Sequence, residues 1–443
     1  MPTVTSTNPY NGNVLATYTT HTETEISELL KKAEKRFRTW RETPFAERKK
    51  LMLAAASELK NNKQAYAETI TVEMGKPIAQ ATAEVQKCAW LCEYYAETAE
   101  SHLKKETVKT AAHKSYVSYG PIGTVLAVMP WNYPYWQVFR FAVPALMAGN
   151  IGVLKHASNV FGCAINIEKI FKRAGFPANC FTTLLVGSDA VEHIIANPII
   201  RAITLTGSGP AGSAVAAIAG RHIKKTVLEL GGNNALVVLK DCDIEKTAET
   251  CVQARFQNTG QSCIAGKRLL VDQTIHDEFL EKLLLKVRGL KSGDPMHKDT
   301  YIATMAREDL SKTLGLQVKK TLKAGAKLEI GGKRQGAYFE PTVVSGVTPQ
   351  MAMFKEETFG PALAVTPFKT EEEAIALSNS SKFGLGTSIF SKNIAAAENM
   401  ANRFNEGAVF INELVKSDPR LPFGGIKESG YGRELGRHGI REF

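Results

Sequence analysis

The chain has 443 residues, too many for one simple core, so two or three domains of roughly 100–200 residues each are expected. With 44% hydrophobic and 22% charged residues it has the composition of an ordinary globular protein, and no run of about 18 apolar residues marks a membrane span. The excess of 55 Lys and Arg over 44 Asp and Glu gives +11, but the basic clusters at 31–38, 47–50 and 319–327 fall on amphipathic helical patterns, which reads as solvated helix faces and argues against nucleic-acid binding.

The opening run MPTVTSTNPYNGNVLATY lacks a basic region followed by an apolar core and is poor in arginine, so neither a secretory nor a mitochondrial leader is expected. Helical periodicity dominates residues 23–103, with apolar residues at i, i+3, i+4 and i+7 and a break at Gly75-Lys76-Pro77. The stretch 106–121 alternates and is rich in Thr, Tyr and Val, which predicts a β-ribbon. From residue 123 the pattern becomes α/β: strands over 123–130, 149–157, 182–186, 202–207 and 226–230 alternate with helices over 135–148, 161–174, 188–196 and 211–220. A second series follows. Its strands are predicted over 235–239, 267–272, 327–330, 341–346, 362–367, 387–391 and 408–412, with helices over 243–256, 275–288, 370–378 and 393–404. Two alternating series predict two parallel sheets, each covered by helices, with a cleft between them.

Seven cysteines show neither a CxxC pair nor zinc-like Cys/His spacing, so reduced thiols, a cytoplasmic location and no metal are expected. Six of them carry no local signal for chemistry. Cys263 differs, because it lies in FQNTGQSCIAGKR among small, polar, turn-forming residues. Glu229 sits 34 residues earlier in TVLELGGNN, at the end of an apolar strand and just before two glycines. Together they offer a nucleophile and a base for covalent catalysis; taken singly, each also reads as a buried structural residue. The run TLTGSGPAG places Gly207, Gly209 and Gly212 between a strand and a helix, a GxGxxG in the context that holds a phosphate on helix-start amides. By that fingerprint alone Glu229 also reads as the ribose-binding acid about 20 residues on. In MPWNYP, Asn132 follows Trp131 at the carboxyl end of a strand, where open α/β sheets bind ligands and an amide can meet an oxyanion. The plainer reading is a turn asparagine.

These runs occur with EMGKP, EETFGP, FGLGTSIFS and PFGGIKESGYGRE over nearly the whole chain. In that order they resemble the aldehyde dehydrogenase superfamily. The resemblance implies an α/β fold of two Rossmann-type domains and a small β oligomerisation ribbon. The NAD(P)-binding domain would take residues 1–105 and 122–230, with 425–443 returning to it. The catalytic domain would take 231–424 and the ribbon 106–121. It implies that Cys263 is the nucleophile, that the Asn132 amide and the Cys263 N–H hold the oxyanion, and that Glu229 activates water. Glutamate there favours release of the free acid, where asparagine would favour acyl transfer to coenzyme A. Lys155, Gly207, Ser208 and Gly212 resemble residues of the adenosine and pyrophosphate site, and Glu357, Phe359 and Trp131 those around the nicotinamide and its ribose. Strict NAD users often carry an acid at the place of Ser158. A hydroxyl there, with Lys155 and His156 nearby, implies NADP or NAD as cofactor, with NADP favoured; Ser158 also reads as a helix N-cap.

Arg140 stands where succinate-semialdehyde dehydrogenases carry an arginine for the distal carboxylate, and a guanidinium can grip a carboxylate through two parallel bonds. Ser417, in SDPRLPFGG, would join the same wall. The expected reaction is NAD(P)-dependent oxidation of a small-molecule aldehyde, succinate semialdehyde above all, with broader oxidation of small ω-carboxylic or aliphatic aldehydes as the alternative. A surface or interdomain ion pair is the plainer reading of Arg140. A cofactor-free thioester or ester hydrolase is the rival class, and the dinucleotide motif argues against it. Some relatives carry a second arginine at the place of Gln257; here Arg255 lies two residues before it. A homodimer or homotetramer is expected. Family members usually run on for about one strand past the place of Phe443, so either an altered dimer contact or a tail missing from this sequence is expected.

Overall fold

Thr22 opens the first helix, Glu23–Trp40, through a reciprocal box in which its side chain takes the Glu25 amide and the Glu25 carboxylate takes its own. The computed structural model describes residues 2–443. Three further helices follow: Phe45–Asn61, Lys63–Met74 and Ile78–His102. The sequence pattern runs unbroken from 46 to 75, yet the helix restarts at Asn62, whose φ of −111° and ψ of 19° leave the helical well. The second break is where expected. Gly75 has φ 76°, and a Cβ there would meet Thr304 Cγ2 at 2.5 Å.

Five parallel strands and one antiparallel edge make the first sheet. Its order is Gly430–Tyr431, Lys225–Glu229, Ile200–Thr206, Thr124–Met129, Ile151–His156 and Phe181–Leu184. The chain builds outward from Thr124–Met129 in one direction and then resumes on its other side at Ile200–Thr206. The carboxyl ends of those two strands therefore flank a topological switch point, the crevice where such sheets bind ligands.

The chain passes directly from Glu229 through Leu230–Asn233 into the second sheet. Its seven strands run Lys327–Ile330, Thr342–Ser345, Ala362–Phe368, Gly266–Asp272, Asn234–Val238, Thr387–Phe390 and Val409–Ile411, all parallel but the first. Ala235 and Val237 enter one apolar cluster and Leu236 and Val238 another, the period-two alternation of a strand buried on both faces.

Four two-stranded pairings lie outside these sheets, among them Arg334–Gln335 with Tyr338–Phe339 and Phe383–Gly384 with Ile426–Lys427. Thr3–Thr7 and Val14–Thr19 form an N-terminal hairpin for which the sequence reading had no element. In the 106–121 stretch, Glu106–Thr107 pairs with Tyr116–Val117.

Candidate functional site

A cavity of about 440 Å³ lies where the two sheets meet. Cys263, Arg140, Ser417, Lys87, Trp136 and Phe423 are among its walls. A larger groove of about 1070 Å³, between the N-terminal hairpin and residues 292–338, contains neither Cys263 nor Glu229.

Cys263 is the one partly exposed cysteine of the seven; the other six are buried. Its loop is held in a costly shape. Asn258 and Thr259 have φ of 56° and 53°, a left-handed conformation uncommon for a β-branched residue. Side-chain bonds maintain it: the Ala303 amide donates to Thr259 Oγ1 at 3.1 Å, and Asn258 Nδ2 donates to the Asn132 carbonyl at 2.8 Å. Asn132 is buried, and its Nδ2 donates to the Gln261 carbonyl at 3.1 Å, two residues from the thiol. One amide hydrogen is thus committed, and the second remains for a ligand.

Burial pushes the Cys263 thiol up to about 11, and the cations Lys267 and Arg140 oppose it. Lys267 is fully buried. Its Nζ donates to the carbonyls of Ser262 at 2.9 Å and Cys263 at 2.7 Å, and pairs with Glu357 at 3.1 Å. Glu357 Oε1 also accepts from the Gly232 amide at 3.1 Å. Glycine is required beside it, since a Cβ on Gly231 would collide with the carboxylate and one on Gly232 would meet the Cys263 carbonyl at 2.6 Å.

Glu229 is 2% exposed, and neither carboxylate oxygen has a hydrogen-bond partner. Burial, reinforced by the like charge of Glu434, holds its pKa well above the usual carboxylate range, against the pull of Arg140 and Arg433. Its charge is also felt at the Cys263 thiol. The structure therefore brings Cys263, Asn132, Glu229, Glu357 and Arg140 into one neighbourhood.

Arg140 is not a free fork. Its Nε pairs with Glu434, its Nη2 donates to Thr206 Oγ1 at 3.2 Å, and its guanidinium lies 4.6 Å from the centroid of Phe423. An ion pair is present, though buried and not at the surface as weighed from sequence, and Nη1 donates no hydrogen bond among the described residues. Ser417 is buried on the same wall, and its Oγ accepts from Trp136 Nε1 at 2.9 Å and Lys87 Nζ at 3.0 Å. Gln257 lines the cavity, whereas Arg255 is buried behind it on the carbonyls of Thr358 and Gly360.

On the glycine-turn side, Ser208 caps the helix Gly209–Arg221 by accepting from the Ala211 amide at 3.4 Å. A Cβ on Gly212 would meet Leu230 Cδ2 at 2.5 Å, so this glycine lets the helix pack against the chain leaving the sheet. The Gly207 amide donates to the Glu229 carbonyl at 2.9 Å. Trp131 and Phe359 meet edge to face at 5.7 Å between centroids. Lys155 projects from the end of Ile151–His156, and burial lowers its pKa.

Ser158 is exposed and opens a short 3-10 turn, Ser158–Val160. It does not cap the helix Phe161–Arg173, as the N-cap reading would have it. The amides of Gly162 and Cys163 instead donate to Glu73 at 2.8 and 2.9 Å. The expectation for His156 is corrected. It is buried with its ring nitrogens on the carbonyls of Met129 and Pro134, and burial lowers it to about 4, so it offers no charge to a phosphate.

The sequence singles out none of Lys87, Lys267 and Glu434 as a site residue, although Lys267 and Glu434 fall within the runs FQNTGQSCIAGKR and PFGGIKESGYGRE. Lys267 lies four residues after the cysteine. Lys87 carries no local signal, because the long helix Ile78–His102 brings it to the cavity from far along the chain.

A profile of the aldehyde dehydrogenase family matches residues 2–443. The chain is 46% identical over 443 residues to a protein of Synechocystis sp. described as a probable NADP(+) succinate-semialdehyde dehydrogenase, covering 99% of this chain and 98% of the relative. It is 44% identical over 446 residues to the NADP(+) succinate-semialdehyde dehydrogenase 1 of Mycobacterium bovis, covering 99% and 98%. It superposes with a TM-score of 0.97, at 36% identity and over 99% and 98% of the two chains, on succinic semialdehyde dehydrogenase from Streptococcus pyogenes solved in complex with NADP+. Its two sheets, its glycine turn and its strained cysteine loop are therefore those of a member of the aldehyde dehydrogenase family.

Proposed function

We propose that the protein oxidises succinate semialdehyde to succinate with NADP. The observation that carries this reading is the cavity that sets the one partly exposed cysteine beside a cationic wall of Lys87 and Arg140, suited to an aldehyde bearing an anionic tail. The relatives' described substrate and cofactor support it.

The residues present fit the dinucleotide. A glycine turn and helix start at the switch point suit the pyrophosphate, and the exposed Ser158 hydroxyl, near Lys155, suits a 2′-phosphate that an acid would repel. Cys263, as thiolate, adds to the aldehyde carbon. The uncommitted Asn132 amide hydrogen and the Cys263 N–H hold the resulting oxyanion. NADP held at the glycine turn would supply the acceptor for the hydride lost as that adduct collapses to a thioester on Cys263. Glu229, once deprotonated, takes a proton from water, whose oxygen attacks the thioester; the acid departs and the thiol is restored.

Initial rates over a panel of aldehydes, each with NADP and with NAD, test the reading. The expected result is the highest kcat/KM for succinate semialdehyde with NADP. An equal kcat/KM for butanal would make this a dehydrogenase of broader specificity. The same reading places the enzyme in the cytoplasm, in keeping with seven free thiols, and makes it a homo-oligomer through the Glu106–Val117 ribbon. No helix is long and apolar enough to cross a membrane among the described residues.

A further inference from the structure

The cavity wall holds three cations, Arg140, Lys416 and Lys87, and only Lys87 has no carboxylate partner, since Lys416 pairs with Glu413 at 2.6 Å. Arg140 is engaged by Glu434. Lys87 has no carboxylate within ion-pair distance among the described residues. Nearby Glu84 is taken by Lys76 and by the amides of Tyr135 and Trp136, and nearby Asp418 by Arg420. Lys87 is positioned all the same. Its Nζ lies 4.1 Å from the centroid of Trp136 and donates to Ser417 Oγ at 3.0 Å, which leaves further N–H donors uncommitted. The Ser417 hydroxyl accepts from both Lys87 and Trp136 Nε1, so its lone pairs are filled and its own proton is free to be given away. A half-buried ammonium and an outward-facing hydroxyl proton, held by the same indole, make a receptor for one carboxylate.

We propose that Lys87 is a specificity-determining cation of the substrate pocket, holding the distal carboxylate of the aldehyde together with the Ser417 hydroxyl. This rests on the reading of the substrate as a carboxylate-bearing aldehyde.

The test is a selectivity ratio: kcat/KM for succinate semialdehyde divided by kcat/KM for butanal, which has the same carbon chain without the carboxylate. Lys87→Met is expected to lower the ratio roughly tenfold or more, since a charge-assisted bond is removed. Lys87→Arg should restore part of it, which a merely structural role would not do. The wild-type enzyme gives a second measurement that needs no variant. Burial and the neighbouring charge of Arg140 lower Lys87 to about 8, against the opposing pull of Cys88, Asp418 and Glu84, while Lys416 and Glu413 also face the cavity. Lys87 therefore loses its charge as pH rises through that value, and the ratio should fall there. A ratio unchanged in Lys87→Met, and flat across pH in the wild type, overturns the proposal. Loss of the ratio only in Arg140→Leu would assign the carboxylate to Arg140 instead. A wild-type ratio near unity would sink the carboxylate-substrate reading itself, a different failure from the loss of Lys87 alone.

Discussion

Lys267 binds the carbonyls of Ser262 and Cys263, one on each side of the Cys263 Cα, and is the largest force opposing the upward shift of the thiol. Replacing it with methionine keeps the stem and removes the charge. Lys267→Met is expected to move the pH midpoint of Cys263 alkylation by iodoacetamide upward, with slower inactivation at any fixed pH below it. Glu229 offers the complementary experiment. A base whose pKa is raised works only after losing its proton, so hydrolysis of the thioester should fail as pH falls through that raised value. Glu434→Gln removes the like charge and leaves Arg140 facing Glu229, so the acid limb of the deacylation rate should shift to lower pH in a pre-steady-state pH profile. Asn132→Ala should slow the oxidative step on the order of 100-fold, read as a loss in kcat rather than in KM. The Cys263 and Asn132 runs were legible because strong local composition marks them. The Arg140–Glu434 pair was not, since nothing in either run says that residues almost three hundred positions apart share a buried contact.

Elements followed the same logic. The two strand-helix series were legible because parallel strands buried on both faces read as short apolar runs between turn residues. The split at Asn62 was not, because apolar periodicity continues across it and only the asparagine pair hints at a restart. The N-terminal hairpin escaped notice because its strands, Thr3–Thr7 and Val14–Thr19, are mostly exposed and bury no apolar stripe. That hairpin nonetheless braces the turn that carries Ser158. Ser6 Oγ donates to Glu73 at 3.2 Å and to the Asn159 carbonyl at 3.2 Å, and Glu73 takes the first amides of the helix Phe161–Arg173. A helix start with buried amides needs such an acceptor. Glu73→Ala strands these donors and is expected to cost about 1–3 kcal/mol in denaturant unfolding. The Ser158 turn rests on the same contacts, so the KM for NADP should rise more than the KM for the aldehyde in this variant.

At the scale of the whole molecule, the Glu106–Val117 ribbon stands apart from both sheets. Val108, Tyr116, Val117 and Ile122 are exposed there, and the pairing of Glu106–Thr107 with Tyr116–Val117 is only two residues long on each side. A two-stranded ribbon of that length is marginal alone, yet its base is anchored. Glu106 pairs with Arg437 and Arg441, and Arg441 Nε donates to the His102 carbonyl at 2.9 Å while its guanidinium lies 4.1 Å from the centroid of Tyr119. An anchored ribbon with apolar residues and unpaired strand edges is suited to pairing with a second copy of the chain. The net charge of +11 would oppose close approach of two copies at low ionic strength, so apolar contact has to outweigh it. Light scattering after size exclusion is expected to give a multiple of the 48.4 kDa chain for the wild type and the single-chain mass for Tyr116→Asp/Val117→Lys. No residue of the ribbon lines the cavity, so the variant's kcat for succinate semialdehyde should fall far less than its mass. A wild-type protein that runs as one chain at all salt concentrations would remove the ribbon's proposed role, and leave the cationic cavity to be judged by itself.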